Sequence, residues 1–422
     1  MSNRSQPGQL SKFIVASGMT NLADGVAVVV WAWIASLLTR DPFLIALMPV
    51  ALRLPWFLFA LPAGIVTDRT DRRRLILAMD VVRAVAFTIA AGIVWRAMPP
   101  APAVETGTAA PTVFIALLGC ALIIGTAEVF RDNAAQTMLP AIVPHAGLER
   151  ANGRLWSVEL VGNALLGPAI GAFLIGWILW LPFALNAVAF SLAVLLMIGL
   201  KGHFKPHRHE APDWRRELGQ GLAFLRDAPL LRLLAITTGA WNLLHQMVVI
   251  ALVLHVQENL GLEAWGYGLI LAAGAVGGIA GGFVADRVVK RMGPGAAAQW
   301  MTLASAVAFA AIPLAPNGFV LALVLAAFEF TGLIWNTVSV SYRQRAIPDA
   351  LLGRVNSVYR LLAWGMMPIG LMLSGVLVNA ASVVMTRDLA LTMPFVVAAI
   401  GAALLTLLVW RPLGHGFALV SD

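Results

Sequence analysis

Stretches of about 20 mostly apolar residues, the length that crosses a bilayer as a helix, recur about twelve times along this chain. They lie near 12–38, 43–66, 75–97, 111–134, 152–176 and 178–200 in the first half. The second half holds 230–256, 265–285, 295–315, 318–341, 355–379 and 389–411. Pro55, Pro62, Pro168 and Pro368 fall inside these stretches, as proline commonly does in membrane helices. Composition closes the alternative. The chain is 60% hydrophobic and 12% charged, against about 25% charged in a soluble domain, and nothing in it could cover so much apolar surface. The sequence therefore predicts an all-α integral membrane protein with twelve transmembrane helices.

Arginine sets the orientation. With the N-terminus inside, the inner loops and tails hold Arg4, Lys12, Arg69, Arg72, Arg73, Arg74, Arg150, Arg154, Lys201, Lys205, Arg208, Arg215, Arg216 and Arg226. They continue with Arg287, Lys290, Arg291, Arg343, Arg345, Arg354 and Arg411, while the outer loops offer only Arg40, Arg96 and Arg387. This asymmetry predicts cytoplasmic termini. It also accounts for the net charge of +8 without any nucleic-acid partner. The first apolar stretch is too long for a signal-peptide core and no small-residue cleavage site follows it, so it is expected to remain as the first span. The single Cys120 excludes an intrachain disulfide and a multi-cysteine metal site.

The chain repeats itself. Gly64-Ile65-Val66-Thr67-Asp68-Arg69, followed by Arg72-Arg73-Arg74, returns as Gly282-Phe283-Val284-Ala285-Asp286-Arg287, followed by Lys290-Arg291. The offset is 286 − 68 = 218. Pro144, Leu148, Arg150 and Asn152 return as Pro348, Leu352, Arg354 and Asn356, and Glu128 returns as Glu329. Two related six-helix bundles follow, 1–200 and 230–422, of the kind from which transporters are built. Between them, 201–229 is basic, and Trp214, Leu218, Leu222 and Leu225 recur at helical spacing. That predicts an amphipathic linker helix on the cytoplasmic membrane surface. His203, His207 and His209 are close together there, but no carboxylate or cysteine completes a metal set, and no metal is expected.

These features resemble the major facilitator superfamily over the whole chain. Gly64 to Arg74 looks like its motif A, between the second and third helices, and Gly282 to Arg291 like the weaker copy between the eighth and ninth. Asn21 to Gly25, Asp132 to Pro140 and Leu148 to Asn152 look like the exporter branch that includes the enterobactin exporter and macrolide efflux proteins. The resemblance implies a bacterial inner-membrane protein that expels small organic molecules in exchange for protons, working by alternating access about a midplane site between the bundles.

Within that frame the duplicated segment reads as a gating latch. Gly64 and Gly282 permit close approach of a neighbouring helix. Asp68, placed just past a helix end, is expected to accept amide hydrogen bonds or to pair with Arg72 or Arg73. Arg69, Asp286, Arg287 and Arg291 share this role. Asp80 and Arg83, three apart on one helix face, are grouped with the latch or neutralise each other.

Charges deep in membrane helices mark function, because burying them is costly. Asp24 leads, with Asn21 and Trp31 on its face. Adding 218 gives Asn242, near Trp241 and His245, so the two positions are expected to face each other across a cavity. Burial disfavours the ionised form of a carboxyl group, which suits a proton carrier. Glu128 and Glu329 lie in the fourth helices of their halves, which line the cavity in this fold. Arg131 and Asp132 follow Glu128 by one turn and are expected to engage it. Glu159 shares a face of the fifth helix with Asn152. Arg53 needs a carboxylate on another helix. Trp31 and Trp241 offer rings to an aromatic substrate.

No phosphate-cradling Gly-x-x-x-x-Gly-Lys-Ser/Thr loop is present, no nucleophile stands beside a base, and no cofactor is implied. The expected partners are a small-molecule substrate, protons and the bilayer, with the chain acting as a monomer. Competing readings are uptake of a polar nutrient, lipid movement, and a non-transporting membrane sensor on the same fold.

Overall fold

A computed structural model of the chain describes residues 7–97, 103–143, 151, 154, 155, 158, 159, 161–202, 204, 205 and 214–421. His203, His207, His209, Pro144, Leu148, Arg150 and Asn152, named above, lie outside the described residues. Among the described residues every regular element is helical. In the first half these are α1 (Pro7–Leu38), α2 (Pro42–Arg69), α3 (Arg72–Ala97), α4 (Pro111–Ile142), α5 (Gly167–Trp177) and α6 (Leu181–Ile198). A π-helical turn, Val161–Leu166, leads into α5. A linker helix, Trp214–Asp227, precedes the second half. There α7 (Pro229–Leu254), α8 (Ala264–Met292), α9 (Pro294–Ala311) and α10 (Gly318–Ala346) are followed by α11 in two pieces, Asp349–Trp364 and Met367–Ala381, and by α12 (Met393–Ser421). Eleven of the described helices are long and apolar enough to cross a membrane, and the shorter apolar helix Val161–Trp177 falls fifth in order.

Local chemistry explains the boundaries. Asp41 caps α2, accepting the amide of Phe43 at 2.9 Å, and Pro42 follows at the first helical position, where its missing N–H is not needed. Gly293 ends α8 with φ 78°, a backbone region that favours glycine, and Pro294 starts α9. The break in α11 falls just before Pro368, whose ring cannot accommodate a continuous helix through the preceding turn.

The chain divides into two compact units, Met1–Ala211 and Pro212–Asp422. In the first, α1 packs on α5 and α6, α3 packs on α4 and α6, and α2 packs on α4. In the second, α7 packs on α11 and α12, α9 packs on α10 and α12, and α8 packs on α10. Each pairing is repeated six helices on, so the sequence repeat is also a packing repeat.

Glycines make these seams. A Cβ on Gly25 would collide with the backbone of Gly162 and Asn163, and one on Gly171 would meet the Val26 carbonyl at 2.7 Å, closing α1 on α5. Gly125 abuts the Leu52 backbone between α4 and α2. In the second unit Gly277 and Gly281 abut Ala326 and Phe330 (α8 on α10), and Gly370 abuts Leu243 (α11 on α7). Without a hydrophobic drive between helices in lipid, such close backbone contact supplies the attraction.

The linker helix does not present its whole apolar face to a membrane surface. Leu225 is buried in a core with Val355, Val358 and Tyr359, and Leu218 packs against that core. Gly221 meets the Arg354 carbonyl, where a Cβ would stand at 2.7 Å. Its inner face is therefore taken up by α11, and Leu222 is left exposed. The side chain of Trp214 lies outside the described residues.

Candidate functional site

Four helices of the first unit bring their charges together. On α3, Arg83 is fully buried and forms a hydrogen-bonded ion pair with Asp24 of α1. The same nitrogen, Nη2, lies 3.9 Å from Oε2 of Glu128 on α4. Arg53 of α2 approaches the other oxygen of Glu128, also at 3.9 Å. Phe190 of α6 covers the Arg83 guanidinium, 4.1 Å from ring centroid to Cζ. One turn along α4, Arg131 pairs with Asp80 of α3 at 3.6 Å and with Asp132 at 3.2 Å. It also donates to Thr20 Oγ1 of α1 at 2.9 Å.

Two consequences follow. These ion pairs form two groups: Arg53 and Arg83 balance Glu128 and Asp24 two to two, while Arg131 alone faces Asp80 and Asp132, so the Arg131 group carries one negative charge in excess when all are ionised, and one proton neutralises it. Also, Nε and Nη1 of Arg83 and both oxygens of Asp80 are buried with no hydrogen-bond partner among the described residues. Buried polar groups are rarely left so outside functional sites.

The cluster rearranges several of the expectations. Asp80 and Arg83 belong to this intramembrane set, not to the gating segment; each finds its partner on another helix and not in the other. Glu128 pairs with Arg83 and Arg53, while Arg131 pairs with Asp132 and with Asp80. Arg53 finds its carboxylate in Glu128. Trp31, expected on the polar face, is 1% exposed and packs edge-on against Phe183 of α6, centroids 5.0 Å apart. Asn21 donates back to the Ser17 carbonyl at 2.9 Å. Glu159 is half-buried, with Arg131 and Asp132 the charges that act on it.

The second unit is built differently at the matching places. Asn242 is buried and donates to the Ala363 carbonyl of α11 at 2.9 Å, a structural bond within its own unit in place of the expected cavity-facing position. His245 of α7 reaches Glu329 of α10 at 3.2 Å. Trp241 stacks on His245, centroids 4.8 Å apart, and Phe328 lies near-parallel to both rings at 5.4 Å. Gly332 leaves room for the Trp241 ring.

The duplicated segments also differ from expectation. Helix α2 runs to Arg69, so Asp68 sits inside its last turn and not beyond it; its side chain lies outside the described residues. Among the described side chains, Asp71 accepts an amide from the following helix, bonded by Arg74 N at 3.0 Å. Arg72 donates to the Thr137 carbonyl of α4 at 2.8 Å, and Arg73 to the Met197 carbonyl of α6 at 2.9 Å. Arg73 thus caps the C-terminus of α6, where positive charge is favourable, while Arg72 ties the start of α3 to α4 above its last turn. In the second copy Asp286 pairs with Lys290 on its own helix at 2.7 Å, with both side chains largely exposed. Arg69, Arg287 and Arg291 are exposed. A Cβ on Gly64 or Gly282 would meet nothing within 4 Å in its own unit, so the close approaches fall to other glycines. Gly162, Gly167 and Gly171 were the missed signal, small residues four or five apart in an apolar stretch.

A model of the Major Facilitator Superfamily matches residues 13–370. The chain belongs to the major facilitator superfamily. The multidrug efflux pump Tap of Mycobacterium tuberculosis is 28% identical over 411 residues, covering 93% of this chain and 92% of that protein. The enterobactin exporter EntS of Shigella boydii is 24% identical over 355 residues, covering 83% of this chain and 79% of that one. Among solved structures, an inward-facing bacterial homologue of the iron transporter ferroportin superposes with TM-score 0.71 at 15% identity, covering 98% of this chain and 99% of that one. The nucleoside transporter NupG gives 0.68 at 13% identity, covering 96% and 98%. At these identities the structures bear on the fold alone. The chain is a multi-pass membrane transporter of this superfamily, and its curated relatives are efflux transporters, not enzymes.

Proposed function

We propose that this transporter exports a hydrophobic or amphipathic small molecule, such as a drug or a siderophore, in exchange for protons, by alternating access. It acts as a monomer in a bacterial inner membrane with both termini in the cytoplasm. The observation that carries the reading is the Arg83 cluster. Asp24 and Glu128 share one buried guanidinium group, one turn of α4 from the Arg131 group, which has one carboxylate more than it has cations. A proton on either carboxyl group leaves Arg83 paired with the other. Because Nη2 already stands near both, the exchange needs only a small side-chain movement. The seam of Gly25 against the π turn before α5 lies next to Asp24, so a shift of α5 on α1 would act directly on this pair. In the second unit, the partly exposed Trp241 ring, backed by the buried Phe328, offers a flat apolar surface beside the His245–Glu329 pair, which suits an aromatic or weakly basic compound.

The test is transport against a gradient. Proteoliposomes loaded at acid pH and diluted into alkaline buffer should accumulate a fluorescent hydrophobic amine such as ethidium, whichever way the protein is inserted, and nigericin should abolish the accumulation. Accumulation only when the lumen is the alkaline side would identify symport and overturn the reading.

A further inference from the structure

The second unit holds two guanidinium groups that no acid among the described residues balances. Arg343, in the last turn of α10, lies with Cζ 3.9 Å over the ring of Tyr359 on α11 and donates to Asn356 Oδ1 at 3.4 Å. Its Nε is buried without a hydrogen-bond partner. The nearby ionised group is a second cation, Arg360. Arg360 follows Asn356 by four residues, so it lies one turn along the same face of α11, with Cζ 5.3 Å from the Trp364 ring centroid. Among the described residues no carboxylate pairs with either group. The contrast with the first unit is direct, since the buried Arg83 and Arg131 each face carboxylates.

Topology explains only part of this. A cation in the last turn of α10 is favourable there. Arg360 is not at an end: it lies six residues inside the span Arg354–Ala381, about 9 Å along the helix. An unpaired charge at that depth is costly and marks function. The arrangement is also held ready. The Tyr359 hydroxyl is fixed by Thr238 at 2.8 Å and Ser339 at 2.9 Å, so the ring that orients Arg343 is itself immobile. A guanidinium group fixed as Arg343 is, with the exposed Arg360 one turn along α11 from its partner Asn356, suits a carboxylate or phosphate, which arginine binds through two parallel hydrogen bonds. Next to Arg360, the half-exposed Trp364 and Leu361 provide an apolar surface.

We propose that Arg343 and Arg360 form a binding site for the acidic head, phosphate or carboxylate, of an amphiphilic anion whose tail lies along Trp364. Such an anion has two sources, a transported compound or an acidic phospholipid. The site lies apart from the Arg83 cluster, and its test reads binding, so its failure would leave the export reading standing.

The probe is dodecyl phosphate, with 1-dodecanol as its neutral counterpart. Added to the purified full chain in maltoside detergent, dodecyl phosphate should raise the melting temperature saturably and 1-dodecanol should not. Arg360→Gln and Arg343→Gln should each raise the half-saturating concentration at least tenfold, while Arg360→Lys, which keeps the charge but loses the paired hydrogen bonds, should fall between the parent and Arg360→Gln. If a Gln variant does not fold, the Lys variant and the weakening of the shift by salt carry the test. Proteoliposomes separate the sources. A lipid site predicts that adding phosphatidylglycerol to phosphatidylcholine speeds transport by the parent and not by Arg360→Gln. A substrate site predicts that dodecyl phosphate competes with export in phosphatidylcholine alone. Equal shifts in the parent and both Gln variants, a salt-insensitive shift, or an equal shift by 1-dodecanol, would overturn the proposal.

Discussion

The two units share a fold and differ in their charges. The five main helix pairings of the first are repeated in the second, six helices on, and glycines close equivalent seams in both. Yet where the first places Asp24, Arg83 and Glu128 in one buried set, the second places Asn242 in a structural hydrogen bond and pairs Glu329 with a histidine. Packing constrains both copies alike, because each needs the same close backbone contacts. Charge is constrained by function, so the copies were free to diverge in it. The difference points to a division of labour, with proton exchange in the first unit and contact with the transported compound in the second.

The largest effect should come from breaking the shared cation. Arg83→Gln leaves Asp24 and Glu128 as neighbouring buried carboxylates without Arg83, a loss of about 3–5 kcal/mol by the usual cost of orphaning a buried charge. It should appear as a fall in melting temperature and in the yield of inserted protein. Adding Asp24→Asn should restore much of the loss. Without that rescue, the charges are not coupled as drawn.

Next come the seams, which should respond alike in both units. Gly25→Val and Gly370→Val each force a side chain into facing backbone and should cost about 1–3 kcal/mol by overpacking, read as lowered melting temperatures. Gly64→Ala and Gly282→Ala, with open space around them, should be neutral or stabilise by up to about 1 kcal/mol through helix propensity. A large loss at Gly64 and none at Gly25 would reverse the assignment of which glycines make contact.

Smaller again, Glu329→Gln should weaken binding of a cationic aromatic compound several-fold in a fluorescence titration while leaving gradient-driven transport coupled. The smallest effect belongs to Asp286→Asn. Its pair with Lys290 is an exposed helical one, worth about 0.3–0.5 kcal/mol, and the melting temperature should shift by no more than about a degree or two.

Much of the architecture was legible in the sequence, because span length and repeat spacing are one-dimensional signals. So was a charged position at Asp24 within the first helix, since a carboxyl group inside an apolar run stands out by itself. What could not be read was rotation. Helix α1 is apolar nearly all round, and such a helix carries no periodic stripe to say which face meets which neighbour. Trp31, about two helical turns beyond Asp24, was therefore assigned to the polar face when it packs into the core. The same limit hid the link from Asp24 to Arg83, which lies 59 residues away and two helices on. Local spacing grouped Asp80 with Arg83, whereas the fold gives each a partner on another helix.

The central claim is that proton exchange resides in the Arg83 cluster of the first unit. Asp24→Asn keeps the shape of the protonated carboxyl group but cannot release a proton. In acid-loaded proteoliposomes it should lose accumulation of ethidium at least tenfold, yet retain gradient-free exchange of labelled for unlabelled compound at near the parental rate. Parental accumulation by Asp24→Asn, with the loss appearing instead in Glu329→Gln, would contradict the account and move proton exchange to the second unit.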